Sequence, residues 1–277
     1  MTSTRTDRWV RLDGTTNMRD LGGLPTADGG RTVPGRILRS DNLQTLSAED
    51  VGRLLGEFGL REVIDLRTTA EILLEGRGPL RDLPEVTHRH FSLLPERGHH
   101  TDVFAVEEDD PQGDLPSGWV ETLLPQQTAG HDRAEPPAVR SYLGYLADRG
   151  DHVVGALRAL AAGEPGASVV HCAAGKDRTG VVVMFALAVA EVPNEEIVAD
   201  YAMTADVIDA LVAKLAASPT YAEDMERRDI ASHTPRAATM DRVLGLLDER
   251  FDGPVGWLQT HGFGAADQAA LRARLRS

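Results

Sequence analysis

The chain predicts an α/β fold with a central, mainly parallel sheet flanked by helices, on three observations. Short apolar runs alternate with longer stretches of helical spacing. The 277 residues are 42% apolar, enough for a sizeable core in one large domain. A single cysteine, Cys172, allows neither an internal disulfide nor a zinc-thiolate framework, so stability has to come from that core.

The elements follow in order. Residues 17–30 are rich in turn formers, and 36–41 read as a short strand. Ser47, followed by Glu49 and Asp50, marks a helix start, with Val51, Leu54, Leu55 and Phe58 as the apolar stripe and Gly59 as the stop. Residues 61–67 read as a buried strand ending in charged groups, and 86–94 as another. From 138 to 162 apolar positions recur at helical spacing, with Gly150 a break. A short strand, 167–171, leads through a glycine-containing turn into a strongly apolar helix from about Thr179. Helical stripes at 204–217, 237–251 and 265–275 complete the chain.

Charge sets further limits. The formal net charge is -14, which argues against a sequence-independent grip on nucleic acid or on an anionic membrane. An anionic substrate would need a local positive site. No targeting or spanning segment is evident, so a cytoplasmic protein without stable membrane insertion is expected. Residues 107–137 hold eight acids, one base, five prolines and three glycines with little periodicity. They read as an acidic insertion carrying half of the total charge, expected to lie near the cleft.

The segment around the cysteine is Val169-Val170-His171-Cys172-Ala173-Ala174-Gly175-Lys176-Asp177-Arg178-Thr179-Gly180. It places Cys172 and Arg178 six positions apart in a loop that leaves a strand and enters a helix. Five intervening residues can wrap so that the N–H groups of 173–178 converge on one centre, with the positive helix N-terminus aimed at the same point. Such a nest suits a tetrahedral oxyanion. A thiol at a helix N-terminus beside cations ionises readily, which makes Cys172 a candidate nucleophile. Arg178 can fork onto two oxygens, Gly175 permits the turn, and Thr179 offers a hydroxyl near the sulfur. His171 would orient the loop through a backbone carbonyl. A Walker-type phosphate loop fails, because Lys176 is followed by Asp177 and the earlier glycine position holds Val170.

HCAAGKDRTG, together with NMRDLGG at 17–23, SDN at 40–42, VIDLRTTAE at 63–71 and IVADY at 197–201, resembles the bacterial tyrosine/serine phosphatase family of the Cys-x5-Arg protein tyrosine phosphatase superfamily. The resemblance spans roughly residues 15–260. It implies a phosphatase-type fold and hydrolysis of phosphomonoesters through a cysteinyl-phosphate, with no metal and no cofactor. It also implies phosphotyrosine, phosphoserine or phosphothreonine proteins as substrates, sometimes phosphoinositides, and a helical lid, here 204–233. A phosphoinositide or inositol phosphate phosphatase, and a non-catalytic phospho-binding module, are the alternatives. The oligomeric state is left open.

The reaction also needs a group to protonate the leaving oxygen and activate water. Asp65, at the end of a strand expected beside the one delivering Cys172, is the first candidate, and Asp177 the second. Asp65 could instead pair with Arg67 or Arg19 as scaffold. Lys176, one of only two lysines, adds positive charge to the rim of the cradle, while Ala173 stands where phosphoinositide phosphatases commonly carry a second lysine.

Overall fold

The computed structural model describes residues 8–94, 134–163, 165–222, 225 and 230–276. Its sheet contains β1 (Arg19–Asp20), β2 (Ile37–Ser40), β3 (Glu62–Asp65), β4 (Thr87–His90) and β5 (Ser168–His171), in the order β1-β2-β5-β3-β4. The β2–β5, β5–β3 and β3–β4 ladders are parallel, and β1 runs antiparallel to β2. The mainly parallel α/β fold expected from the alternation is therefore the one observed. β5 lies at the centre and is buried along its whole length, as a parallel strand is when both sheet faces are covered.

The helices are α1 (Ala48–Gly56), α2 (Thr69–Glu75), α3 (Pro137–Asp148), α4 (Gly150–Ala162), α5 (Asp177–Val189), α6 (Asn194–Ala202), α7 (Ile208–Ala216), α8 (Ile230–His233), α9 (Ala237–Phe251), α10 (Gly253–Thr260) and α11 (Ala265–Arg276). A 3-10 turn, Met203–Val207, joins α6 to α7. One core joins Ile37, Ile64 and Val170 of the sheet to α3, α4, α5 and the C-terminal helices. A second joins Leu38, Val63 and Val169 to Leu54 of α1. Alternate strand residues thus face opposite layers, which is the period of a strand with two apolar faces. α5 is apolar on every side because it is buried on every side, with Val181–Leu187 at most 2% exposed.

Local chemistry fixes the boundaries. α1 starts at a capping box in which Ser47 Oγ accepts the Asp50 N–H and the Asp50 carboxylate accepts the Ser47 N–H. That carboxylate also takes the N–H groups of Asp13 and Gly14, tying the N-terminal segment to the helix. The break near Gly150 is present, with Arg149 closing α3 and opening α4.

Four features differ from expectation. β1 lies within the turn-rich segment, where two residues are too few to show a period. The second apolar run is a strand only over Thr87–His90, at the sheet edge, with an alternating rather than buried pattern. α5 starts two residues before Thr179, and α2, α6 and α10 were not anticipated as helices. Of the acidic insertion, 107–133 lies outside the described residues, and Pro137 opens α3.

The β3–β5 register sets Asp65 beside His171, with Nε2 3.5 Å from the Asp65 carboxylate. Burial pushes His171 down to about 4; Asp65 opposes the shift and Arg67 adds to it. The folded chain therefore holds this proton less tightly than the unfolded chain, for which the ordinary value is 6.5. The stability tied to neutral His171 is complete above about pH 6.5 and is lost as pH falls toward 4, on the order of 3 kcal/mol in all. His152, lowered to about 4 by burial and by Arg149, acts over the same window. Urea unfolding of the wild type between pH 6.5 and 4.5 should show a steep decline that His171→Gln makes shallower, with His152 supplying the residual slope. Equal slopes in the two proteins would remove His171 as the cause.

Candidate active site

The loop from Cys172 to Arg178 packs against the end of β2. The Ala173 carbonyl accepts the Asn42 N–H at 2.9 Å, the Ala174 carbonyl accepts Asn17 Nδ2 at 2.8 Å, and the Gly175 carbonyl accepts Arg39 Nη2 at 2.7 Å. Each peptide unit is planar and trans, so a carbonyl turned toward β2 sends the next residue's N–H the opposite way. The N–H groups of Ala174, Gly175 and Lys176 therefore face away from β2, and none of them meets an acceptor among the described residues. Three consecutive donors on one side of a loop form an anion cradle, and the start of α5 adds its positive end. Gly175 has φ +64°, and a Cβ there would lie 2.4 Å from the Ser40 carbonyl oxygen. No side chain fits that position.

Arg178 lies at the head of α5 with its guanidinium on Glu71, Nη1 to Oε2 at 2.6 Å and Nη2 to Oε1 at 2.8 Å. Burial opposes charge on both groups. Even so, Arg178 holds Glu71 down at about 2, and Glu71 raises Arg178 further above its ordinary range. Glu71 also accepts the Thr68 N–H in the capping box that opens α2. The helix start that fixes Glu71 thereby fixes the plane of the Arg178 fork.

The remaining expected residues take separate places. Cys172 is 2% exposed. His171 Nδ1 lies 3.3 Å from the Cys172 carbonyl oxygen, the type of backbone contact expected of it. Thr179 Oγ1 is buried and has no hydrogen-bond partner among the described residues, so it makes no bond to the sulfur. Lys176 turns from the rim: Nζ donates to the His233 carbonyl at 2.6 Å and lies 3.6 Å from Asp177. Asp177 is about one-third exposed and accepts the Tyr142 hydroxyl at 2.5 Å, with the Tyr201 hydroxyl 2.7 Å beyond. Burial and the neighbouring carboxylate push Tyr142 well above its ordinary value, so it stays a neutral donor.

Asp65 is committed elsewhere. Its carboxylate accepts Arg67 Nε at 3.0 Å and Nη2 at 2.6 Å, and despite burial Arg67 and His171 hold it far below the usual carboxylate range. It lines a small pocket of about 50 Å³ with Arg67, His88, His90 and His171, to which no residue of 172–178 contributes. The scaffold pairing with Arg67 is the arrangement present.

Part of the segment expected as a lid lies over the loop. Leu211 and Leu215 of α7 pack on Ala173, with Ala174, Ile208 and Tyr221 against the same cluster. Lys214 Nζ donates to Asp41 Oδ2 at 2.8 Å and to the carbonyls of Gly14 and Asn42. Residues 223–224 and 226–229 of that segment lie outside the described residues. No group of three or more histidines, cysteines or acids is set to hold a metal among the described residues. Nor is any described helix long and apolar enough to cross a membrane.

Reasoning from sequence missed Glu71, Asn17, Arg39 and Tyr142. Glu71 had a local signal: Thr68 with Glu71 three residues later spells a capping box.

A model of the tyrosine phosphatase family matches residues 10–277. The chain is 28% identical over 289 residues to the triple specificity protein phosphatase PtpB of Mycobacterium tuberculosis, covering 95% of this chain and 98% of that protein. It is 32% identical over 121 residues to a tyrosine-protein phosphatase of Nostoc commune, covering 42% of this chain and 41% of that one. The match over nearly the whole chain and the loop built around Cys172 and Arg178 lead to one conclusion: the chain belongs to the tyrosine phosphatase family and is a phosphomonoester hydrolase.

Proposed function

We propose that this protein hydrolyses phosphorylated protein side chains, phosphotyrosine foremost and phosphoserine or phosphothreonine as well, by passing the phosphoryl group through Cys172. The observation that carries the reading is the cradle itself, three inward N–H groups and the Glu71-braced Arg178 fork around a single cysteine. The thiolate Sγ attacks phosphorus as the bond to the leaving oxygen breaks. Arg178 and the loop amides hold the other three oxygens while charge redistributes. A proton passes to the leaving oxygen from a carboxylic acid, which then takes a proton from the water that attacks phosphorus, releasing phosphate and the thiolate.

We assign that acid to Asp177 rather than to Asp65. The acid must reach the substrate held at the loop. Asp65 is bound up in its ion pair with Arg67 and faces a pocket to which no residue of 172–178 contributes. Asp177 stands in the loop, is accessible to solvent and is oriented by Tyr142. The names of the relatives support protein substrates, with triple specificity recorded for the mycobacterial one. A phosphoinositide preference has less support, since the ammonium of Lys176 is spent on the His233 carbonyl and Ala173 carries no charge.

Three outcomes test this. Cys172→Ser should abolish hydrolysis of p-nitrophenyl phosphate measured in EDTA with reductant, and retained turnover would refute the mechanism. Glu71→Gln keeps an acceptor for the Thr68 N–H but loosens Arg178, so kcat/KM should fall roughly 10- to 100-fold, the size of one or two charge-assisted hydrogen bonds. Unchanged kcat/KM would separate Glu71 from catalysis. Asp177→Asn should cost more with an alkyl phosphate, whose leaving group needs a proton, than with p-nitrophenyl phosphate. If Asp65→Asn shows that substrate dependence and Asp177→Asn does not, the assignment is reversed.

A further inference from the structure

Three segments of the chain, two of which also hold carbonyls of the loop, meet in one buried cluster behind it. Asp200 of α6, 1% exposed, receives Arg39 Nη1 at 2.5 Å, Arg8 Nη2 at 2.8 Å and Arg19 Nε at 3.3 Å. Arg19 Nη2 also donates to the Asp200 carbonyl and Nη1 to Asn17 Oδ1, whose amide nitrogen caps the Ala174 carbonyl. Three guanidiniums share one carboxylate, and Arg39 Nε is buried without a partner among the described residues. Of the acids nearby, Asp20 places its oxygens on the N–H groups of Gly22 and Gly35, and Asp41, which accepts the Asn17 N–H, is paired with Lys214. Burial, with Arg39 adding, pushes Arg19 down to about 9, as expected where positive charge is in excess.

Such an arrangement is costly if its purpose is packing alone. One ion pair, or apolar side chains of similar volume, would fill the space with less unbalanced charge. The excess makes sense if an anion on the far side of the loop completes the balance. Arg39 is the link, since its second nitrogen reaches the Gly175 carbonyl, at the one loop position where no side chain fits.

We propose that Arg39 is a positioning residue of the phosphate loop: clamped by Asp200, it holds the Gly175–Lys176 peptide so that its N–H faces the bound anion, and it supplies buried positive charge behind that anion. The inference rests on the reading of the loop as a phosphoryl site, and it gives the NMRDLGG and IVADY segments and the residue before SDN a common task.

The test compares wild type, Arg39→Met and Arg39→Lys by calorimetric titration with inorganic phosphate and by the pH midpoint of Cys172 alkylation with iodoacetamide. The titratable groups already near the thiol, Arg178, Lys176, Asp177, Glu71, His171 and Tyr145, are unchanged throughout. Arg39→Met should weaken phosphate binding about tenfold or more, by loss of a charge-assisted hydrogen bond, and raise the alkylation midpoint. Arg39→Lys keeps the charge and loses the fork, so phosphate binding should weaken while the midpoint stays closer to wild type. A purely structural role would lower thermal stability and leave both readouts in place. If Arg39→Met does not fold, Arg39→Lys decides, and wild-type phosphate affinity in that variant overturns the proposal. Absence of p-nitrophenyl phosphate turnover in the wild type would strike the catalytic reading instead, because the phosphate titration does not depend on turnover.

Discussion

Three consecutive loop carbonyls, each held by a donor from Asn42, Asn17 or Arg39, are the constraint on which the rest of the site depends. A loop of seven residues has no internal way to satisfy its own peptides, and each buried carbonyl left without a donor would cost on the order of 1–3 kcal/mol. Asn42, Asn17 and Arg39 remove that cost, and in doing so leave the opposite edges of the same peptides free to face an anion. Folding and anion recognition are thus one arrangement seen from two sides. The sheet order follows from the same need, because β2 must neighbour β5 for its end to lie against the loop that β5 delivers.

On the other side of the loop the organisation comes from α2. Its capping box would form on any helix with Thr and Glu at that spacing, yet here Glu71 caps the backbone and holds Arg178 as well. A charged pair this deeply buried is weak evidence for stability, since desolvation offsets most of the attraction. Its value lies in geometry. The guanidinium plane is fixed before any substrate arrives, so little ordering remains to be done in the transition state.

Legibility in the sequence followed the range of the forces involved. The ten-residue motif from His171 to Gly180 was readable because its chemistry is local: Cys172, Gly175 and Arg178 act at fixed offsets along one stretch of chain. The long helices α4 and α9 were readable because burial imprints a period on them, and α5 because a run that is apolar on every side marks a fully buried helix. What escaped were contacts across more than a hundred residues, such as Glu71 with Arg178 and Arg39 with Asp200, which no local period encodes. Asp65 shows the same limit from the other direction. Its place at the end of β3, beside the strand that carries Cys172, was foreseen, but Arg67 two residues later folds back onto it, and that choice is made by side-chain geometry after the strand is set.

Only two lysines occur in a chain that otherwise uses arginine, and each holds the segment that follows α6. Lys214 reaches out from α7 to the end of β2 and the N-terminal segment, and Lys176 reaches from the loop to the last residue of α8. An ammonium differs from a guanidinium in having a removable charge and a nucleophilic free-base form. Amine-directed chemistry therefore reaches both fastenings of this segment, one of them from within the phosphate loop, while leaving every arginine around the cradle untouched.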